Sequence, residues 1–128
     1  GREVIFKMRS QDVLHSACMP FFRAQMNCVP GMITEFAFTP NITTEQMRLD
    51  PDIVSKVKKI NKIRVKKSKE LVASGDVALD PYEFDFLLLC NKICGASHYN
   101  MQMKIIVESQ EEYDKWISEQ QTFAEVIQ

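Results

Sequence analysis

Residues 82–109 read YEFDFLLLCNKICGASHYNMQMKIIVES, a strand pattern, a cluster of chemistry-bearing side chains and a second strand pattern. The apolar and aromatic run from Tyr82 to Cys90 suits a buried strand that delivers Cys90 at its end. Met103, Ile105 and Val107 alternate with Gln102, Lys104 and Glu108, the period of a strand with one covered face. Between the two lie Cys90, Cys94, His98 and Met101, spaced C-x3-C-x3-H-x2-M. Each component alone is weak, since a methionine after a strand is usually core and a lone histidine is usually a satisfied surface group. At this spacing they form a soft donor set.

Three chemistries compete for that set. A Cys90–Cys94 disulfide closes a very small loop, stabilises little, and leaves His98 and Met101 without a role. Zinc accepts two thiolates and an imidazole, with His15 as the fourth ligand, but makes little use of a thioether. Thiolate, imidazole and thioether together are what copper selects. A mononuclear blue copper site uses one cysteine, and here there are two. Two thiolates can each bridge two copper ions, with one histidine terminating each. That arrangement needs a second histidine, and the chain contains one other, His15 in DVLHSACMP.

Working outward, Val4, Phe6 and Met8 alternate with Ile5, Lys7 and Arg9, and Phe22, Ala24 and Met26 alternate with Arg23 and Gln25, both as strands. VPGM at residues 29–32 is a turn signal, followed by a strand with Thr34, Phe36 and Phe38 on one face. Short strands separated by turns argue for an antiparallel sandwich or barrel. From about Thr44 to Ala73 the pattern becomes helical, with Ile53, Val57 and Ile60 recurring among lysines. SQEEYDKWISEQQ, from Ser109, carries a cap, acids in its first turn, and Tyr113, Trp116, Ile117 and Gln120 on one stripe. It reads as a terminal amphipathic helix packed on the sandwich, with Trp116 a packing residue.

The 128 residues are 45% hydrophobic and 26% charged, enough for a core and against global disorder. A net charge of −1 gives no bulk electrostatic case for nucleic acid. Charge is nonetheless segregated: eight of the sixteen Lys and Arg lie between Lys56 and Lys69, and six acids lie between Glu108 and Glu125. No apolar run is long enough to cross a membrane. Cys18 and Cys28 read as small buried apolar residues, with a disulfide between them as the minority alternative.

DVLHSACMPFFRAQMNCVPGM (residues 12–32) followed by CNKICGASHYNMQMKIIVES (residues 90–109) resembles the binuclear copper (CuA) domain of cytochrome c oxidase subunit II. That family carries D-V-x-H-S, a P-G turn, and then C-x-E-x-C-G-x-x-H-x-x-M running into a strand. The resemblance covers residues 4 to about 43 and 80 to 120. It implies an all-β, cupredoxin-like Greek-key β-sandwich, one domain over residues 1–128, with a lysine-rich helical insertion at about 45–80 and a C-terminal helix. It implies two copper ions, with Cys90 and Cys94 as bridging thiolates and His15 and His98 as terminal imidazoles. Met101 is then the weak thioether ligand to one copper, and the backbone carbonyl of Lys92 the weak ligand to the other.

By the same resemblance, the domain is an electron carrier without catalysis of its own, within an oxidase that is an oxidoreductase and proton pump. It takes electrons from cytochrome c or a cytochrome c domain and passes them to haem in catalytic subunit I, at the periplasmic face of the bacterial membrane. The family's two amino-terminal membrane helices and the aromatic stretch that receives electrons are missing from this chain. The family's glutamate between the cysteines is Lys92 here, so no magnesium is expected beside it. The nearest alternatives are the copper domain of a nitrous oxide reductase-like enzyme and a structural zinc-binding interaction module. For the insertion two readings stand: a solvated helix, or a docking element for a partner subunit, a cytochrome domain or anionic lipid.

Overall fold

The computed structural model describes residues 1–126. Six strands form two sheets. β1 (Val4–Met8) pairs antiparallel with β4 (Thr34–Phe38), and β2 (His15–Met19), β3 (Ala24–Cys28), β5 (Phe86–Cys90) and β6 (Gln102–Ile105) form a sheet ordered β3-β2-β5-β6. The period-2 expectation holds in β1, β3 and β4: Phe6, Met8, Ala24, Met26, Phe36 and Phe38 are half-buried while Lys7, Gln25 and Glu35 are exposed. The turn at 29–32 closes with Met32 N–H donating to the Val29 carbonyl, and Gly31 takes the positive φ of 79° that it requires.

Strand boundaries differ from the sequence reading in three places. Phe22 lies in a 3-10 turn (Pro20–Phe22) before β3, because Pro20 starts that turn and Arg23 leaves it in the left-handed region. Residues 82–85 precede β5 without pairing, and Val107 lies beyond β6. β2 was not expected as a strand. It is central in its sheet and its two faces are both covered, with Ser16, Ala17 and Met19 buried, so polar and apolar residues do not alternate along it.

The helical pattern after residue 43 resolves into α1 (Thr44–Arg48) and α2 (Pro51–Ala73). Thr43 and Gln46 form a capping box on α1, and the Asp50 carboxylate accepts from the Asp52 and Ile53 amides at the start of α2, where Pro51 fits the first turn. α2 drops Ile53 onto Phe84 and Phe86, with Phe22, Met47, Val57, Ile105 and Val107 packed around them. Phe22 joins the two sheets, its ring 4.6 Å from that of Phe38 and 4.8 Å from that of Phe86. The chain returns along α2 through Asn61, whose side chain donates to the Tyr82 carbonyl and accepts from its amide.

α3 (Gln110–Glu119) forms where expected, with a Ser109–Glu112 capping box, and is followed by the short α4 (Phe123–Val126). Its expected packing on the sandwich is not what the structure contains. Tyr113, Trp116 and Ile117 remain 44–49% exposed, Gln120 is the residue that ends the helix, and Trp116 packs against Tyr113 alone among aromatic rings. Beside the helix lies an open cavity of about 940 Å³, lined in part by Val4, Phe6, Phe38, Ile106 and Tyr113. Of the stripe, Tyr113 lines this groove and Trp116, Ile117 and Gln120 do not, so the helix does not close over a filled core. No helix among the described residues is long and apolar enough to cross a membrane.

Candidate metal centre

The cluster assembles where β2 begins and β5 ends. These strands are antiparallel neighbours with Ala17 opposite Cys90, so His15, two residues from Ala17, emerges on the same face as Cys90. Pairing across the sheet thus closes a separation of 75 residues. The Cys90 amide donates to the Met101 carbonyl and the Asn91 amide to the Ser16 carbonyl, which tie both ends of the loop to the sheet. Within the loop, Gly95 takes a φ of 140°, closed to most side chains, and a 3-10 turn (His98–Asn100) follows.

All six groups anticipated from the sequence converge. Cys90 Sγ lies 3.7 Å from Cys94 Sγ, 3.9 Å from His15 Nδ1 and 3.2 Å from the Lys92 carbonyl oxygen. Cys94 Sγ lies 3.4 Å from His98 Nδ1 and 3.8 Å from Met101 Sδ. Each sulfur therefore has one imidazole and one weaker donor beside it. The four cysteines are free thiols. His15, Cys90 and Cys94 offer ligand atoms within 4.8 Å of one another, the distance over which side chains can share a metal ion.

One participant was missed in the sequence. Asp12 Oδ1 accepts from His15 Nε2 at 2.8 Å. With the proton on Nε2, the Nδ1 lone pair is left facing Cys90, the tautomer a metal ligand needs. The D-x-x-H spacing in DVLH carried that signal. The pair perturbs both partners: the hydrogen bond to His15 holds Asp12 down at about 2, and the same bond, followed by Cys90, raises His15.

The thiols are pulled in opposite directions. Burial pushes Cys90 up, but the Ser16 and Lys92 backbone, His15 and Cys94 together bring it down to about 6. Burial and the neighbouring Cys90 raise Cys94. One thiolate is thus favoured near neutral pH even without a cation.

Cys18 and Cys28 stand outside the cluster. Cys28 is the cross-strand partner of His15 and Cys18 that of Gln25, which puts the two cysteines on opposite faces of the sheet. This excludes the Cys18–Cys28 disulfide; both are half-buried free thiols.

No family model matches the sequence. The chain is 32% identical over 124 residues to the alternative cytochrome c oxidase subunit 2 of Bradyrhizobium diazoefficiens, across 97% of this chain and 30% of that protein. It is 28% identical over 117 residues to cytochrome c oxidase subunit 2 of Alkalihalophilus pseudofirmus, across 91% of this chain and 22% of that protein. The chain therefore spans less than a third of the length of these curated relatives. Among solved structures, it is similar to the periplasmic domain of subunit II of cytochrome oxidase (CoxB) of Bradyrhizobium japonicum. The TM-score is 0.50 at 16% identity, over 91% of this chain and 55% of that one.

The fold is thus a cupredoxin-like β-sandwich carrying a helical insertion and a C-terminal helix. The chain is a homologue of cytochrome c oxidase subunit II.

Proposed function

We propose that the chain is a single electron-transfer domain holding a binuclear copper centre, part of a haem-copper cytochrome c oxidase. The observation that carries this reading is the convergence of two thiols, two imidazoles, one thioether and one carbonyl, with neighbouring contacts of 3.2–3.9 Å. This donor set fits copper: it is soft, it supplies two bridging sulfurs, and it gives each sulfur its own imidazole. Cys90 and Cys94 would hold both ions, His15 and His98 one each, with Met101 and the Lys92 carbonyl as weaker partners. When bound, such a pair supplies one-electron chemistry shared between two metals.

The chain's own residues prepare the place. Asp12 fixes the tautomer and ring plane of His15, while the pairing of β2 with β5 fixes His15 relative to Cys90. Hydrogen bonds from the Cys90 and Asn91 amides hold the loop against the sheet, which would limit movement of its sulfurs if a bound centre gained or lost an electron. If all six groups held the two ions, no position would be left for substrate, which suits electron relay over bond making. The wider reading follows the relatives: electrons from cytochrome c or a cytochrome c domain to haem in the catalytic subunit. The domain would stand on the periplasmic face of the bacterial membrane, as part of a membrane-anchored oxidase.

Reconstitution with copper tests the reading. The loaded protein is expected to be purple, with a hyperfine pattern in electron resonance from one electron shared equally by two copper nuclei. A colourless protein that binds one zinc tightly and cannot hold two copper ions overturns it.

A further inference from the structure

α2 uses its basic residues in two different ways. Lys56 and Arg64 have partners on the protein, and Lys67 is exposed outside the stripe formed by the remaining lysines: Lys56 Nζ sits 5.8 Å from the Phe21 ring, and Arg64 donates to the Asp80 carbonyl and lies 5.7 Å from the Tyr82 ring. Lys58, Lys59, Lys62, Lys66 and Lys69 are exposed, and none of them enters an ion pair among the described residues. At 100° per residue these five fall within about one-third of the helix circumference, opposite the Ile53, Val57 and Leu71 face. No acid interrupts α2 between Asp52 and Glu70. The stripe is a row of unneutralised ammonium groups on a helix roughly 35 Å long.

We propose that this stripe docks on the anionic phospholipid headgroups of the membrane beside which the domain stands. The proposal rests on the membrane-anchored reading above. Three features select lipid over an acidic protein face. The stripe is entirely lysine, a hydrated point charge suited to a diffuse anionic surface, whereas protein interfaces favour the arginine fork and are depleted in lysine. The helix's only arginine is turned inward to a geometrically defined contact. The lysines recur nearly once per turn over Lys58, Lys62, Lys66 and Lys69, presenting an even row and not a shaped pocket. Exposed Val65 and Val72, 57% accessible each, flank the row and can settle against the headgroup layer without deep insertion. Clusters of four to eight basic residues on such a helix are the size that anionic leaflets attract. The chain's net charge of −1 means that attraction must come from this local stripe, not from the molecule as a whole.

The test is flotation of the full chain with vesicles of phosphatidylcholine containing about 30% phosphatidylglycerol, against vesicles of phosphatidylcholine alone. Binding to the anionic vesicles is expected to exceed that to neutral ones by about tenfold or more, and to fall by a similar factor between about 20 mM and about 200 mM salt. The K58Q/K62Q/K66Q/K69Q variant should lose the binding, with its fold checked by circular dichroism. A K7Q/K115Q variant, which removes exposed lysines elsewhere, should keep it. Equal binding to neutral vesicles, no binding at low salt, or undiminished binding by the four-lysine variant each overturns the proposal. Stripe-dependent binding to poly-L-glutamate without vesicle binding also overturns it, in favour of an acidic polypeptide. The copper reading is scored by colour and electron resonance, so its failure is distinguishable from failure here.

Discussion

Asp12 and His15 are three residues apart and joined by a 2.8 Å contact, yet only His15 carries a donor atom into the cluster. Asp12 acts through orientation: a partner on the distal ring nitrogen fixes the imidazole, and losing such a partner typically costs a factor of about 10 to 100 in metal affinity. Asp12→Ala is therefore expected to weaken copper binding by that factor in competition with a chelator, with the fold unchanged; unaltered affinity would remove Asp12 from the site. Lys92 offers the opposite case. Its side chain is exposed, and its carbonyl is the atom near Cys90 Sγ. Lys92→Ala should leave copper affinity and stability within about 0.5 kcal/mol of the parent, as for an ordinary surface substitution. A large loss in that variant would show that the ammonium group matters after all. Cys90, Cys94, His98 and Met101 were legible because they are soft donors at fixed local spacing, and His15 because the chain has just two histidines, while the Lys92 carbonyl came from the family resemblance alone. Asp12 was not singled out, since an aspartate before a strand is usually a turn residue.

At the level of elements, the insertion is fastened to the hairpin that carries most of the cluster. Thr44 N–H donates to the Val107 carbonyl, and Val107 N–H to the Thr44 hydroxyl. Arg48 donates to the Phe84 carbonyl and to the Asp85 carboxylate at 2.8 Å, while Lys104 of β6 meets the same carboxylate at 2.6 Å. Asp85 is buried, which raises its pKa, but Lys104 and Arg48 outweigh that and the net shift is downward from 3.8. A carboxyl depressed on folding contributes stability that is fully present above its unfolded pKa and is lost as pH falls through its lower folded value. Acid unfolding should therefore steepen below about pH 3.8. Asp85→Asn should flatten that limb while costing about 1–3 kcal/mol at neutral pH in denaturant titration. An unchanged acid limb would show that the clamp does not contribute.

The helix caps separate two kinds of helix. Asp50→Ala removes the cap of α2, which is packed on Phe84 and Phe86, and should lower global stability by about 1 kcal/mol. Ser109→Ala removes the α3 cap at a helix whose residues are all exposed, and should speed local amide exchange without moving the global midpoint. The 3.6-residue period identified both helices. It did not say which one has a partner, because periodicity describes a face and not what lies against it.

For the whole molecule, Phe22 is one of the side chains that touch both sheets, through Phe38 on one and Phe86 on the other, while Thr34 of β4 donates to the Asn27 carbonyl of β3. Phe22→Ala is expected to cost about 2–4 kcal/mol by denaturant unfolding, at the low end of aromatic truncations because the ring is only half-buried. A cost below about 1 kcal/mol would mean that the sheets are held together elsewhere. The strand content of β1, β3 and β4 was readable because each has one wet face. β2 was not, because its faces are both covered and its pattern therefore does not alternate. The sequence by itself determined the donor types, their spacing inside one loop, and the periods of most elements, all of which are properties of short stretches of backbone. Tertiary structure alone decided the register that carries His15 to Cys90 across 75 residues, that Asp85 ties the insertion to that hairpin, and that α3 is left beside an open groove. The reason lies in register: a slip of one residue between β2 and β5 would turn His15 to the other face, and nothing local to either strand fixes their pairing.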